Sequence, residues 1–214
     1  MNLRHKEGII MAEAIENKVV TKIKKAKRGS LYFIDSFAHI ANKKAISKVL
    51  ERLVIKGEII RVASGIYTRP RIDPNLGEIK PGIEDIVKAI AKRDNAKIVP
   101  TGNYALNKLG LSTQVPMNIV YLTDGSARKV KVGNFTITFK KANPKSVSAI
   151  GKTSKLVIQA LKAIGEKNID NNTIKKISNA LKNENINHLE HDLRIAPEWI
   201  RKIIRPILEE RKNV

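Results

Sequence analysis

Between Asn42 and Arg71 the apolar positions change period once. Ile46, Val49, Leu50 and Leu53 recur at i, i+3, i+4 and i+7, the stripe of an amphipathic helix. The spacing predicts a helix over residues 42–56, with Asn42 as its cap and Gly57 as its stop. Lys43, Lys44, Ser47, Lys48 and Arg52 fall outside the stripe and are expected to face solvent or a partner. Two β-prone runs follow, 58–62 and 66–69, joined by Ala63-Ser64-Gly65, which reads as a hairpin. Upstream, Ile15, Val19, Val20 and Ile23 predict a helix over 12–27, and Leu31-Tyr32-Phe33 a short extended run. Residues 34–41 are expected to form a short helix. Two helices and a basic third one running straight into a hairpin predict a winged helix-turn-helix over residues 1–71.

Pro70, Pro74, Gly77, Pro81 and Gly82 then crowd the chain, predicting a linker and a domain boundary near residue 72. The remainder, 72–214, divides again. Over 83–144 the pattern gives a helix (83–93), a strand (96–100), a helix capped by Thr101 (102–109), a strand (118–122) and a hairpin around Gly133-Asn134. That order predicts a small α/β sheet. Over 152–212 the pattern is helical: 153–164, then a helix started by Asp170 or Asn172, then 186–193. A last helix is expected with Pro197 at its first position and a kink or restart at Pro206. The predicted class is α+β: a winged helix, then a small sheet domain with a helical C-terminal extension.

Composition sharpens the picture through charge. The chain has 214 residues, 42% hydrophobic and 29% charged, with a net charge of +21 and a pI near 10.2. Such an excess draws a protein to polyanions, nucleic acid first and anionic membrane second. Residues 1–71 carry 16 Lys or Arg against 6 Asp or Glu, nearly half the total excess. The absence of cysteine excludes disulfides, thiolate metal sites and cysteine nucleophiles. The opening MNLRHKEG leads into no secretory apolar core, and no apolar run is long enough to span a membrane, so a cytoplasmic protein is expected.

For DNA, the side chains early in the predicted recognition helix, Lys43, Lys44, Ser47 and Lys48, suit base edges, with Arg52 further along. Arg61, Ser64, Arg69 and Arg71 are expected on the wing, meeting phosphate or the minor groove. Tyr67 is open between packed and exposed. The Lys22–Arg28 charge run reads first as a solvated helix end. Three other stretches have chemical overtones. Gly151-Lys152-Thr153 matches the tail of a phosphate-binding loop, but Ser146 stands where the first glycine belongs, so a helix start capped by Thr153 or Ser154 is expected. His188 and His191 within HLEHD share a helix face without a convincing third metal ligand. Thr101-Gly102-Asn103 suggests a nucleotidyltransferase turn, yet Asp124 lacks the second carboxylate that a two-metal site needs. No catalytic, cofactor-binding or metal residue is therefore assigned.

The segments SKVLERLVIKGEIIRVASGIYTRPRIDPNLGEIKP, KIVPTGNYALNKLGLSTQVPMNIVYLTDGSARKVKVGN and HDLRIAPEWIRKII together resemble the AbiEi-type antitoxin family of type IV toxin–antitoxin systems. The resemblance spans roughly residues 15–205. It implies an N-terminal winged helix that represses its own operon at inverted repeats, as monomer or homodimer. It also implies a C-terminal domain that counters a nucleotidyltransferase-like toxin without a stable complex, and no enzymatic activity. Two other readings stand beside it: an RNA- or ribosome-associated basic protein, and a degenerate nucleotidyltransferase-like enzyme.

Overall fold

The computed structural model describes residues 3–213; Met1 and Asn2 of the expected first domain, and Val214, lie outside the described residues. The chain is of mixed α+β class and separates into two compact units, Met1–Ala89 and Ile90–Val214.

In the first unit, helix α1 (Leu3–Lys25) leads to strand β1 (Leu31–Phe33) and helix α2 (Lys43–Ile55). Strands β2 (Ile60–Ala63) and β3 (Ile66–Thr68) form the hairpin expected after α2. The three strands make an antiparallel sheet in the order β1-β3-β2. Tyr32 and Arg61 both stand opposite Tyr67, and the register shifts between Arg61 and Ala63. All three residues of the central strand are buried, which settles Tyr67 as packed. Ile46, Val49, Leu50 and Leu53 close against Val19, Ile23, Phe37 and Ile59. The stripe read from the sequence is the core face.

Two stretches depart from expectation. Over 34–41 only a single 3₁₀ turn, Ile34–Phe37, forms instead of a helix. Its i→i+3 bonds, Ala38 N to Asp35 O and Ile40 N to Phe37 O, turn the chain tightly while Phe37 enters the core fully buried. Over 70–82 the breakers do not leave a bare linker. They build a two-stranded hairpin, β4 (Arg71–Asp73) with β5 (Gly77–Ile79). Asp73 Oδ1 accepts from both Asn75 N (2.9 Å) and Leu76 N (3.0 Å), the local bond that makes Asp a turn starter. This hairpin is exposed nearly throughout, with Ile72 and Leu76 60% and 79% exposed. Helix α3 (Ile83–Arg93) follows, and the division between the units falls inside it.

The second unit begins with the end of α3 and strand β6 (Ile98–Pro100), helix α4 (Asn103–Lys108) and strand β7 (Asn118–Thr123). Strands β8 (Arg128–Val132) and β9 (Phe135–Lys141) form a hairpin about Gly133-Asn134. The order is β6-β7-β9-β8, with β7 and β9 parallel and the other pairs antiparallel. The chain leaves β7, runs back along the far edge as β8, and fills the gap with β9. A 3₁₀ turn (Pro144–Val147) leads to helices α5 (Ser154–Ile164), α6 (Asn171–Leu181), α7 (Ile186–Ile195) and α8 (Glu198–Lys212). They share a core of Val157, Leu161, Leu181, Leu189, Ile200 and Ile204. Asp170 caps α6 through Thr173 N (2.7 Å), as expected. Thr101 does not cap α4, because Gly102 occupies the cap position and no side chain bonds there. Pro197 sits one place before the first residue of α8, which runs through Pro206 without restarting. Among the described residues no helix is long and apolar enough to cross a membrane.

The start of α5 is held from a distance. Neither Thr153 nor Ser154 provides the expected side-chain cap. Glu184 (6% exposed) and Asp192 (fully buried) reach across instead. Asp192 accepts from Ile150 N (2.8 Å), Gly151 N (3.0 Å) and the Ser154 hydroxyl; Glu184 accepts from Thr153 N and Ser154 N (3.0 Å). A Cβ on Gly151 would lie 3.0 Å from both carboxylates and 2.0 Å from Ser154 Oγ, so only glycine fits. Removing Asp192 strands buried donors, each worth about 1–3 kcal/mol. Asp192→Ala is expected to lower the urea midpoint by the equivalent of at least about 2 kcal/mol with an unchanged m value. A loss within error would show that water replaces the carboxylate.

Candidate nucleic-acid interface

Asn42 fixes where α2 begins: its Oδ1 accepts from Ala45 N at 3.0 Å. The buried stripe fixes how α2 is rotated. Lys43, Lys44 and Lys48 consequently stand exposed on the first two turns, with Ser47 half-buried between them. None of the three lysines makes an ion pair among the described residues. Partial positive charge at a helix N-terminus adds to theirs. Three cations without a partner, on rigid backbone, suit an anionic surface.

Arg52 is placed differently. Its Nε lies 2.9 Å from Glu16 Oε2, and Lys56 binds the other oxygen of the same carboxylate. Together they tie α2 to α1. Hydrogen bonding from Lys56, opposed in part by burial and reinforced by Arg52, holds the Glu16 carboxyl below its usual range. Arg52 therefore serves an internal joint.

The hairpin also divides its cations. Arg61 and Ser64 are exposed on β2 and at the turn, where Arg61 Nη2 approaches Ser64 Oγ at 3.4 Å. Arg69 and Arg71 lie past the far end of β3, beside the start of β1. Gly29 N donates to Arg69 O at 2.7 Å, and Arg69 Nη1 reaches Lys24 O at 3.5 Å. Arg71 lies so close over Gly29 that a Cβ there would stand 2.7 Å from its Nε, at a backbone φ of 85°. Arg28 Nη1 donates to Pro70 O at 3.1 Å. These bonds gather a second basic cluster from the α1 terminus and the chain after β3. Lys24, Lys25, Lys27 and Arg28 are exposed in it, with Arg71. Linear spacing carried no sign of this union, since its halves stand about forty residues apart. Lys22 turns aside, donating to Ser36 O and lying 5.4 Å from the Phe37 ring centre.

Elsewhere the candidate chemistry is absorbed by structure. The amides of Gly151, Thr153 and Ser154, which a phosphate loop would direct at its ligand, already bond Glu184 and Asp192. His191 Nδ1 is 2.9 Å from Asp192 Oδ1, and the described residues contain no group of three or more His, Asp or Glu able to hold a metal. Asp124 accepts from Lys97 N at 2.7 Å, closing the β6–β7 end of the sheet.

The profile of a family of unknown function, DUF6088, matches residues 18–189. The chain belongs to DUF6088. No curated protein matches this DUF6088 chain. A solved structure, the Rv2827c protein from Mycobacterium tuberculosis, is 11% identical over 94% of this chain and 77% of its own, with a TM-score of 0.47.

The Glu16 joint has a testable pH signature. Because its folded-state pKa is depressed, its stabilisation is present above the unfolded value of about 4.5 and is lost as pH falls through the folded pKa. The partner side chains remain 42% and 52% exposed, so screening keeps the pair near 1 kcal/mol or less. Glu16→Gln is expected to lower neutral-pH stability by about that much, with the difference from the parent closing below pH 4.5. Equal stability at pH 7 would mean that solvent screens the joint completely.

Proposed function

We propose that this protein is a DNA-binding antitoxin that represses its own operon from the cytoplasm, with residues 1–71 forming a winged helix-turn-helix. The observation that carries the reading is the rotation of α2: burial of Ile46, Val49, Leu50 and Leu53 leaves Lys43, Lys44 and Lys48 exposed on its first turns, without an ion pair among the described residues. In this reading α2 enters the major groove, and Ser47 with the three lysines meets base edges. Arg61 and Ser64 meet the backbone at the hairpin turn. The cluster of Arg69, Arg71 and the α1 terminus holds phosphate. Arg52 is left out, since Glu16 engages it. An operator of inverted repeats would seat a monomer on each half or a homodimer across both. The toxin-directed part, in which residues 72–214 counter a nucleotidyltransferase-like toxin without a stable complex and without catalysis, rests on the sequence resemblance alone.

One observation favours an RNA-binding second unit: Lys129 and Lys131 alternate on the exposed face of edge strand β8, with Lys140 and Lys141 exposed at the end of β9. Lysine on an edge strand also blocks pairing with other chains, which needs no ligand.

Titration against the duplex upstream of the gene, a scrambled duplex and a structured RNA separates these readings. The parent is expected to prefer the upstream duplex. Lys44→Ala should cost about 1–3 kcal/mol there and relax preference at one position. Arg71→Ala should weaken both duplexes alike and reduce the salt slope by about one. Arg52→Ala should lose stability rather than DNA affinity. RNA bound as tightly as the upstream duplex, or a Lys44→Ala variant matching the parent on both duplexes, would overturn the assignment.

A further inference from the structure

A cavity of about 110 Å³ opens in the second unit between the 3₁₀ turn at Pro144–Val147, helix α5 and the end of α7. Its polar walls are Asn143, Lys145, Ser146, Lys155, Gln159 and Lys162. Three ammonium groups line it, and no carboxylate does. Glu184 and Asp192, the buried acids of this unit, are occupied at the neighbouring 150–154 loop.

Gln159 is the decisive residue. It is only 5% exposed, yet its carboxamide makes no hydrogen bond to any described residue. A residue this buried ordinarily finds a protein partner for its amide; neither polar atom of Gln159 is sealed from solvent, so the carboxamide is left to whatever occupies the cavity, water or ligand. Asn143 adds a second donor. Its Oδ1 accepts from both Ser146 N and Ser146 Oγ at 2.8 Å, leaving the amide NH₂ as its available polar group. Lys162 is largely exposed as a residue, but burial lowers the pKa of its ammonium from the ordinary lysine value. An anion beside it would relieve that cost.

The walls thus offer N–H donors and positive charge, the complement of an oxyanion. The space admits several waters, enough for one tetrahedral group. We infer that this cavity binds a phosphate group, supplied either as inorganic phosphate or as the terminal phosphate of a mononucleotide whose base stays outside. The site lies within residues 143–195 and does not depend on the DNA-binding reading of residues 1–71.

Because a chain of charge +21 attracts any anion, the test turns on a variant that leaves charge unchanged. Calorimetric titration of the full chain with inorganic phosphate, at ionic strength matched with chloride, is expected to show one saturable site. Gln159→Leu should weaken it by about tenfold or more, while its melt without phosphate still shows a cooperative fold. Lys162→Met should weaken it likewise, whereas Lys129→Met, which removes the same charge from β8, should not. AMP and adenosine identify the source: AMP binding like phosphate indicates the free ion, and AMP binding more tightly while adenosine fails to bind indicates a nucleotide. Equal binding by parent and Gln159→Leu, or displacement by chloride as easily as by phosphate, would overturn the site. Should Gln159→Leu fail to fold, the Lys162 and Lys129 variants decide it: equal losses overturn it and unequal ones support it. DNA affinity, measured without phosphate, is unaffected by either result.

Discussion

Carboxylates are the scarce group in this protein: 41 lysines and arginines face 20 aspartates and glutamates. Such an excess pushes the folded chain apart, and several of the acids stand where they hold elements together. Glu16 draws α2 onto α1 through Arg52 and Lys56. Asp94 receives both Arg93 and Arg128, linking the end of α3 to strand β8. Asp73 shapes the tip of the β4–β5 hairpin, Asp124 closes a sheet end, and Asp170 caps α6. Glu184 and Asp192 go furthest, entering the interior to satisfy backbone amides. A buried carboxylate is tolerable only when its lone pairs are used, and here five donors from the 150–154 loop use them.

The distribution has a counterpart on the surface of the first unit. With Glu16 committed to the α1–α2 joint, the lysines on the opening turns of α2 have no ion pair among the described residues. Three of the cations around the α1 terminus and β3 meet protein through backbone oxygens: Lys22 with Ser36, Arg28 with Pro70 and Arg69 with Lys24. A carbonyl partner positions a cation without cancelling its charge. These residues are therefore held in place with no carboxylate opposite them, a combination that lowers the entropy lost when a polyanion is engaged.

What the sequence disclosed follows the range of the forces involved. Helix α2, its cap at Asn42 and its core face were legible because period and cap chemistry act within a few residues. The β2–β3 and β8–β9 hairpins were legible for the same reason. The β4–β5 hairpin carried its signal in Asp73-Pro74-Asn75-Leu76-Gly77, a sound turn sequence that the density of breakers disguised as a linker. The start of α5 was not legible. Its partners lie 30 to 42 residues downstream, and nothing in the GKTS stretch announces that buried acids will meet it. The candidate site divides in the same way. Lys43, Lys44, Ser47 and Lys48 followed from helical period, whereas Arg52's tie to Glu16 and the union of Arg69 and Arg71 with the α1 terminus required tertiary contacts.

The long reach of Glu184 and Asp192 also imposes an order in time. During synthesis the amides of residues 150–154 emerge first and have no partner of their own until the 184–192 stretch follows. At ribosomal speeds of about 5–20 residues per second, that interval lasts about 2–8 s. Through it the first turn of α5 must borrow hydrogen bonds from water, and its apolar face stays uncovered by α7 and α8. The start of α5 therefore reaches its final bonding only once the 184–192 stretch has arrived.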